Sequence, residues 1–117
     1  MRLRPKLWLA LAGLLVGFSH GYAQFVADIV DYQMNIQAAL DAPRFTKLSF
    51  DGCDVQMEQR IPASVRAELE KKGDVIRVHG DYSSIVGGGQ AVKRDFAAGV
   101  NYGASDPRKD GAAIPEP

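Results

Sequence analysis

The sequence is poor in the residues that most often carry chemistry. It has one cysteine (Cys53), one threonine (Thr46), one tryptophan (Trp8) and two histidines (His20, His79) in 117 residues. A single cysteine excludes an internal disulfide, and a short domain without one must rely on a small core. His79 has Asp81 two residues on and no further Cys, Asp or Glu at metal-ligand spacing, so no metal site is read here. Net charge is also lacking: 14 basic residues meet 14 acidic ones. That balance argues against nucleic acid as a partner and against a solvating acidic tail. There is no internal repeat and no low-complexity segment. The one long apolar run, Leu7–Phe18, is 12 residues, too short for a stable membrane span.

That run does have a recognisable setting. Arg2, Arg4 and Lys6 precede it, and Ser19-His20-Gly21-Tyr22-Ala23 follows it. A basic head, an apolar stretch and small residues at Gly21 and Ala23 describe an export signal cleaved after Ala23. Residues 1–23 are therefore expected to be a signal peptide, residues 24–117 the mature part, and the location periplasmic or secreted. Without Arg2, Arg4 and Lys6, 11 basic residues remain against 14 acidic ones. A mature piece this short buries a small share of its surface and should be marginal alone.

Beyond the signal, the pattern predicts an α+β domain of helices and antiparallel hairpins. From Gln24 to Met34, Phe25, Ile29, Tyr32 and Ile36 recur at helical spacing, with Val26 and Val30 beside them. Asn35 can cap a second helix, Ile36–Asp41, which Pro43 ends by disfavouring a helical Ala42. Between Arg44 and Glu58 the chain reads as extended. Phe45, Lys47 and Ser49 alternate with Thr46, Leu48 and Phe50, and Asp51-Gly52 makes a turn before Val55–Glu58. Pro62 to Lys72 should be a helix with Val65 and Leu69 inward and Gly73 as its stop. Val75–His79 reads as a strand, and Tyr82–Ile85 as a loop or strand start. Gly87–Phe96 and Val100–Ala104 read as a hairpin across Ala97-Ala98-Gly99. The chain after Ser105 should be irregular.

Each candidate for chemistry has a plainer reading. Thr46 sits mid-strand, where a β-branched residue is at home. Ser83-Ser84 suits a turn. Gly87-Gly88-Gly89 lacks the Lys-Ser/Thr of a phosphate loop and reads as a close backbone approach. Cys53 reads as an idle thiol beside a turn glycine. Asp51, Asp54 and Glu58 read as a solvated rim, not a calcium site. No catalytic, cofactor-binding or metal residue is assigned, and no cofactor is expected.

Two stretches are more specific. One is Met34-Asn35-Ile36-Gln37-Ala38-Ala39-Leu40-Asp41-Ala42-Pro43-Arg44-Phe45, preceded by Gln24-Phe25-Val26-Ala27-Asp28-Ile29-Val30-Asp31-Tyr32. The other is Tyr102-Gly103-Ala104-Ser105-Asp106-Pro107-Arg108, followed by Asp110-Gly111-Ala112-Ala113. In this order they resemble the C-terminal part of the small subunit of γ-glutamyltransferases (glutathione hydrolases). Ile61-Pro62 to Gly73, Val75 to Val78 and Gln90 fit the same resemblance, which covers Gln24 to Ala113. It implies part of an αββα amino-terminal-nucleophile hydrolase fold, built from a large and a small subunit cut from one precursor. It further implies structural roles for Asn35, Ala42, Pro43, Arg44, Phe45, Tyr102, Gly103, Ser105, Asp106, Pro107 and Arg108.

The resemblance also says what is missing. The family's nucleophilic threonine lies upstream of the matching region, and its serine pair and oxyanion glycine pair lie before the part that matches Gln24. Thr46 and Ser83-Ser84 stand in the wrong places and contexts. Two expectations of different class follow. The chain is an enzyme fragment, inactive alone, whose partner would be a large-subunit-like chain. Alternatively, it is a secreted non-catalytic module that binds a protein partner. An unrelated small secreted α+β protein is the third.

Overall fold

The computed structural model describes residues 20–49 and 51–114. The predicted signal segment up to Ser19, and Phe50, lie outside the described residues.

Helix α1 runs His20–Val30 and helix α2 Ile36–Asp41. α1 thus begins before Gln24, and the Ala23–Gln24 bond lies within it. Asn35 does what its side chain suggests: its Oδ1 accepts from the Ala38 N–H at 2.9 Å, filling one of the first-turn donors that a helix cannot satisfy itself. Ala42 leaves the helix at φ −54°, ψ 143° ahead of Pro43, the extended conformation that a following proline favours.

A three-stranded sheet follows: β1 (Phe45–Thr46), β2 (Asp54–Glu58) and β3 (Val75–His79), in the order β1-β2-β3. β1 and β2 are antiparallel, with Phe45 opposite Met57. The extended stretch after Arg44 pairs over only two residues, shorter than its alternation suggests. β2 and β3 are parallel, from Asp54 beside Val75 to Glu58 beside His79. This departs from an all-hairpin reading, and the reason is the crossover: α3 (Ala63–Lys71) returns the chain so that β3 runs the same way as β2. Gly73, at φ +103°, makes the turn out of α3 in a conformation other residues resist.

Val55, Met57 and Ile61 form the buried core of this unit, with Leu69 and Ile76 packed on it. Leu69 points inward as predicted. Val65 does not: it is 46% exposed, and α3 buries no residue fully. Tyr32, placed on the apolar stripe of the first helix, lies past its end and is exposed.

The second sheet is the hairpin β4 (Gln90–Asp95) and β5 (Val100–Ser105), paired from Gln90–Ser105 to Asp95–Val100. Its strand starts at Gln90, not Gly87. A short 3-10 turn, Ser84–Val86, occupies the stretch read as a loop or strand start. At the hairpin's tip the Asp95 carboxylate accepts from Ala97 and Ala98 N–H groups, both at 2.9 Å. Gln37 joins α2 to β5 by a two-point bond to Ser105: its Nε2 donates to the carbonyl at 3.0 Å, and the Ser105 N–H donates back at 3.2 Å.

Candidate functional site: a buried arginine–carboxylate cluster

The ends of these elements converge on charge. Arg44 follows α2, Glu58 ends β2, and Asp106 and Arg108 follow β5. All four residues are buried, and Glu58 has no exposed surface. A buried charge is costly unless it is paired and hydrogen-bonded, so the partners decide whether this arrangement holds.

Arg108 uses all three of its nitrogens. Nε donates to Glu58 Oε1 at 2.7 Å, and one terminal nitrogen donates to Glu58 Oε2 at 2.7 Å, a two-point clamp. The remaining donors reach the carbonyls of Leu40 and Ala42, each at 2.7 Å, and Asp106 Oδ1 at 3.1 Å. Arg44 holds Asp106 Oδ2 at 2.6 Å and the Leu40 carbonyl at 3.0 Å. Glu58 also accepts the backbone N–H groups of Arg44 (3.0 Å) and Ser83 (2.9 Å) and the Arg60 guanidinium (2.9 Å). Asp106 pairs with Gly89 in both directions, its N–H to the Gly89 carbonyl at 3.1 Å and the Gly89 N–H to Oδ2 at 3.2 Å. Tyr82, at φ +54°, lays its ring 3.9 Å from the Arg60 guanidinium and 5.5 Å from that of Arg108.

The electrostatics follow. Burial raises the Glu58 carboxyl, but hydrogen bonds from the Arg108 side chain and Arg44 backbone, with the charges of Arg108 and Arg60, outweigh it. Glu58 titrates below its usual 4.5. Asp106 likewise falls below 3.8: burial raises it, and the bonds and charges of Arg108 and Arg44 win. Burial opposes the Arg108 charge, yet Glu58 and Asp106 push its pKa up. Glu58, Asp106 and Arg108 are thereby held in their charged forms at neutral pH, so none of the three is poised to move a proton.

The motif residues distribute around this centre. The Ala42 carbonyl is a ligand of Arg108; Pro43 sets the path into Arg44; Asn35 caps the helix whose last carbonyls the arginines use. Ser105 braces the hairpin to α2 and accepts from the Gln90 amide through its Oγ at 3.0 Å. Gly103 lies under Ala113, where a Cβ would stand 2.9 Å from the alanine's methyl. Phe45 is partly and Tyr102 half exposed, and Pro107 is exposed; these three do not join the cluster.

Glu58 overturns its sequence reading. It is not part of a solvated rim with Asp51 and Asp54, which stay exposed; it is the centre of the cluster. Arg60 and Tyr82 were not singled out either. The available signal was arithmetic: buried Arg44 and Arg108 need more carboxylate than Asp106 supplies. Among the other candidates, Thr46 is buried in β1 and Cys53 is an exposed free thiol. Ser83 N-caps the 3-10 turn, and His79 Nε2 lies 2.7 Å from Gln56 Oε1. No group of three or more His, Cys, Asp or Glu able to hold a metal occurs among the described residues. No described helix is long and apolar enough to cross a membrane.

A family model for γ-glutamyltranspeptidase matches residues 18–116. The chain belongs to this family. The glutathione hydrolase-like YwrD proenzyme of Bacillus subtilis (strain 168) is 31% identical over 94 residues, covering 76% of this chain and 17% of that protein. Among solved structures, a cephalosporin acylase from Bacillus halodurans superposes with a TM-score of 0.70 at 37% identity, over 79% of this chain and 17% of that one. An acivicin-inhibited γ-glutamyltranspeptidase gives a TM-score of 0.64 at 31% identity, over 78% of this chain and 47% of that one. The γ-glutamyltranspeptidase of Pseudomonas nitroreducens shares the fold at a TM-score of 0.68 and 20% identity. The fold is therefore part of an amino-terminal-nucleophile hydrolase, and the chain spans only about a sixth of the curated relative's length.

Proposed function

We infer that this chain is the C-terminal piece of the small subunit of a γ-glutamyltransferase or glutathione hydrolase. By descent it serves γ-glutamyl hydrolysis and transfer; by itself it is inactive. The observation that carries this reading is the fate of its one threonine: Thr46 is buried in a two-residue strand, mid-chain, with no freed α-amine to act as its base. Ser83 offers no evident substitute, since its hydroxyl is engaged in capping the 3-10 turn.

The role left to the chain is architectural. For the acivicin-inhibited relative, the C-terminus has critical roles in autoprocessing and catalysis. The buried cluster supports a comparable role here, because it ties the segment after β5 to α2 and β2. Large apolar side chains left in solvent support a missing partner. Val92 is 76% and Phe96 89% exposed on the hairpin, and Val26 and Val30 are more than half exposed on α1. Exposed apolar groups on both α1 and the hairpin support a docking surface, and a large-subunit-like γ-glutamyltransferase chain is the occupant this reading names.

The test is release of p-nitroaniline from γ-glutamyl-p-nitroanilide by the purified chain. No release above the blank is expected. Release that Thr46→Ala or Cys53→Ala abolishes would overturn the reading. Reading the DNA upstream of Met1 in all three frames adds a second check: an interrupted frame carrying a threonine nucleophile fits an enzyme fragment.

A second reading is favoured by the basic head and apolar run: a secreted or periplasmic non-catalytic module that binds a protein partner. An upstream sequence with no such frame, together with export of the chain, would favour it.

A further inference from the structure

Two properties meet at Gln24. It is the residue that follows Ala23, where the export-type head predicts cleavage. Its side-chain amide also closes a two-point bond across to β1: Nε2 donates to the Phe45 carbonyl at 2.8 Å, and the Phe45 N–H donates to Oε1 at 3.2 Å.

Cleavage at that bond would free the Gln24 α-amine. An N-terminal glutamine with a free amine is reactive toward itself. The amine nitrogen attacks the side-chain Cδ, a new C–N bond closes a five-membered lactam, the Cδ–Nε2 bond breaks, and Nε2 leaves as ammonia. Nothing is oxidised or reduced. The attack requires Cδ to swing back over the residue's own nitrogen. In the folded chain the amide is instead held against a residue 21 positions away.

We propose that Gln24 is the mature N-terminus and a cyclisation site that the fold holds shut. The Phe45 latch keeps the amide from its own amine, so the lactam forms only where α1 has left β1. The lactam is also a lasting mark of that event, since ring closure removes the freely rotating amide that Phe45 grips. This inference rests on the export reading given above.

The full chain is exported from a bacterial host, and its intact mass is read on isolation and then followed in native buffer and in urea at the same pH. The expected product begins at Gln24 with its glutamine intact. It loses one ammonia about tenfold more slowly in native buffer than in urea, the protection two hydrogen bonds of ordinary net strength supply. Lactam already complete on isolation, or equal rates in the two buffers, overturns the latch and leaves the export reading standing. A chain left uncut, or cut elsewhere, overturns the proposal through the export reading, and the p-nitroanilide assay is unaffected by that outcome.

Discussion

The Arg108 side chain makes five hydrogen bonds, as many as the Glu58 carboxylate accepts. Each of its five N–H groups has an acceptor: both Glu58 oxygens, Asp106, and two carbonyls that α2 leaves open. Lysine cannot copy a planar fork, so Arg108→Lys should fail nearly as badly as Arg108→Met. Removing one partner of a buried pair costs about 3–5 kcal/mol, and urea unfolding of the variants should show an unfolding free energy lowered by that amount or no folded baseline. The carboxylates set the pH response. Glu58 and Asp106 have folded pKa values below their unfolded ones, so their stabilisation is fully present above the ordinary carboxylate range and is lost as pH falls through the lowered values. Stability should be flat near neutrality and collapse below about pH 4, a window that circular dichroism against pH can read. Asp28 has the opposite sign. Burial raises its pKa despite Arg44 nearby, so its ionisation costs stability once pH rises past the unfolded value. Asp28→Asn should leave the chain as stable or more stable at neutral pH and remove that dependence, again by urea midpoint.

The elements divide cleanly by what local sequence can specify. α2 is six residues, too short to persist on helix propensity, yet Asn35 and Pro43 marked both of its ends, because caps and proline act within four residues. Replacing Asn35 by alanine should cost about 1 kcal/mol, measurable as a lowered urea midpoint. Gly73 and the hairpin turn at Gly99 were legible for the same reason, both lying at positive φ. Partners were harder to read. Alternation assigns Glu58 to a face of β2 but says nothing of Arg108, which arrives 50 residues later. Parallel pairing of β2 with β3 is fixed by the α3 crossover, not by either strand's own pattern. Val65 shows a third kind of failure: its helical spacing called for a covering neighbour, and among the described residues it stays 46% exposed.

On the scale of the whole molecule, the apolar groups left in solvent and the small share of each relative that is covered point the same way. The chain has a well-formed charged centre and incomplete apolar layers. Its thermal midpoint alone should therefore be low, and should rise when it is co-produced with a nucleophile-bearing chain of its family, because a partner that binds only the folded form adds stability by mass action. Differential scanning fluorimetry of the chain alone and co-purified tests this; an unchanged midpoint speaks against that partner. The cluster also imposes an order in time. The contacts that Asp106 and Arg108 make with Arg44, Glu58 and the carbonyls of Leu40 and Ala42 span 50 to 68 positions, and Arg108 is their last contributor in sequence. A chain still being synthesised presents Arg44 without Asp106, and Glu58 with Arg60 but without Arg108, and incompletely paired charges resist burial. Closure must wait until Arg108 has emerged, so a product cut short before it keeps its centre hydrated and open to proteases. The charged centre thereby distinguishes a chain that carries Arg108 from one cut short before it.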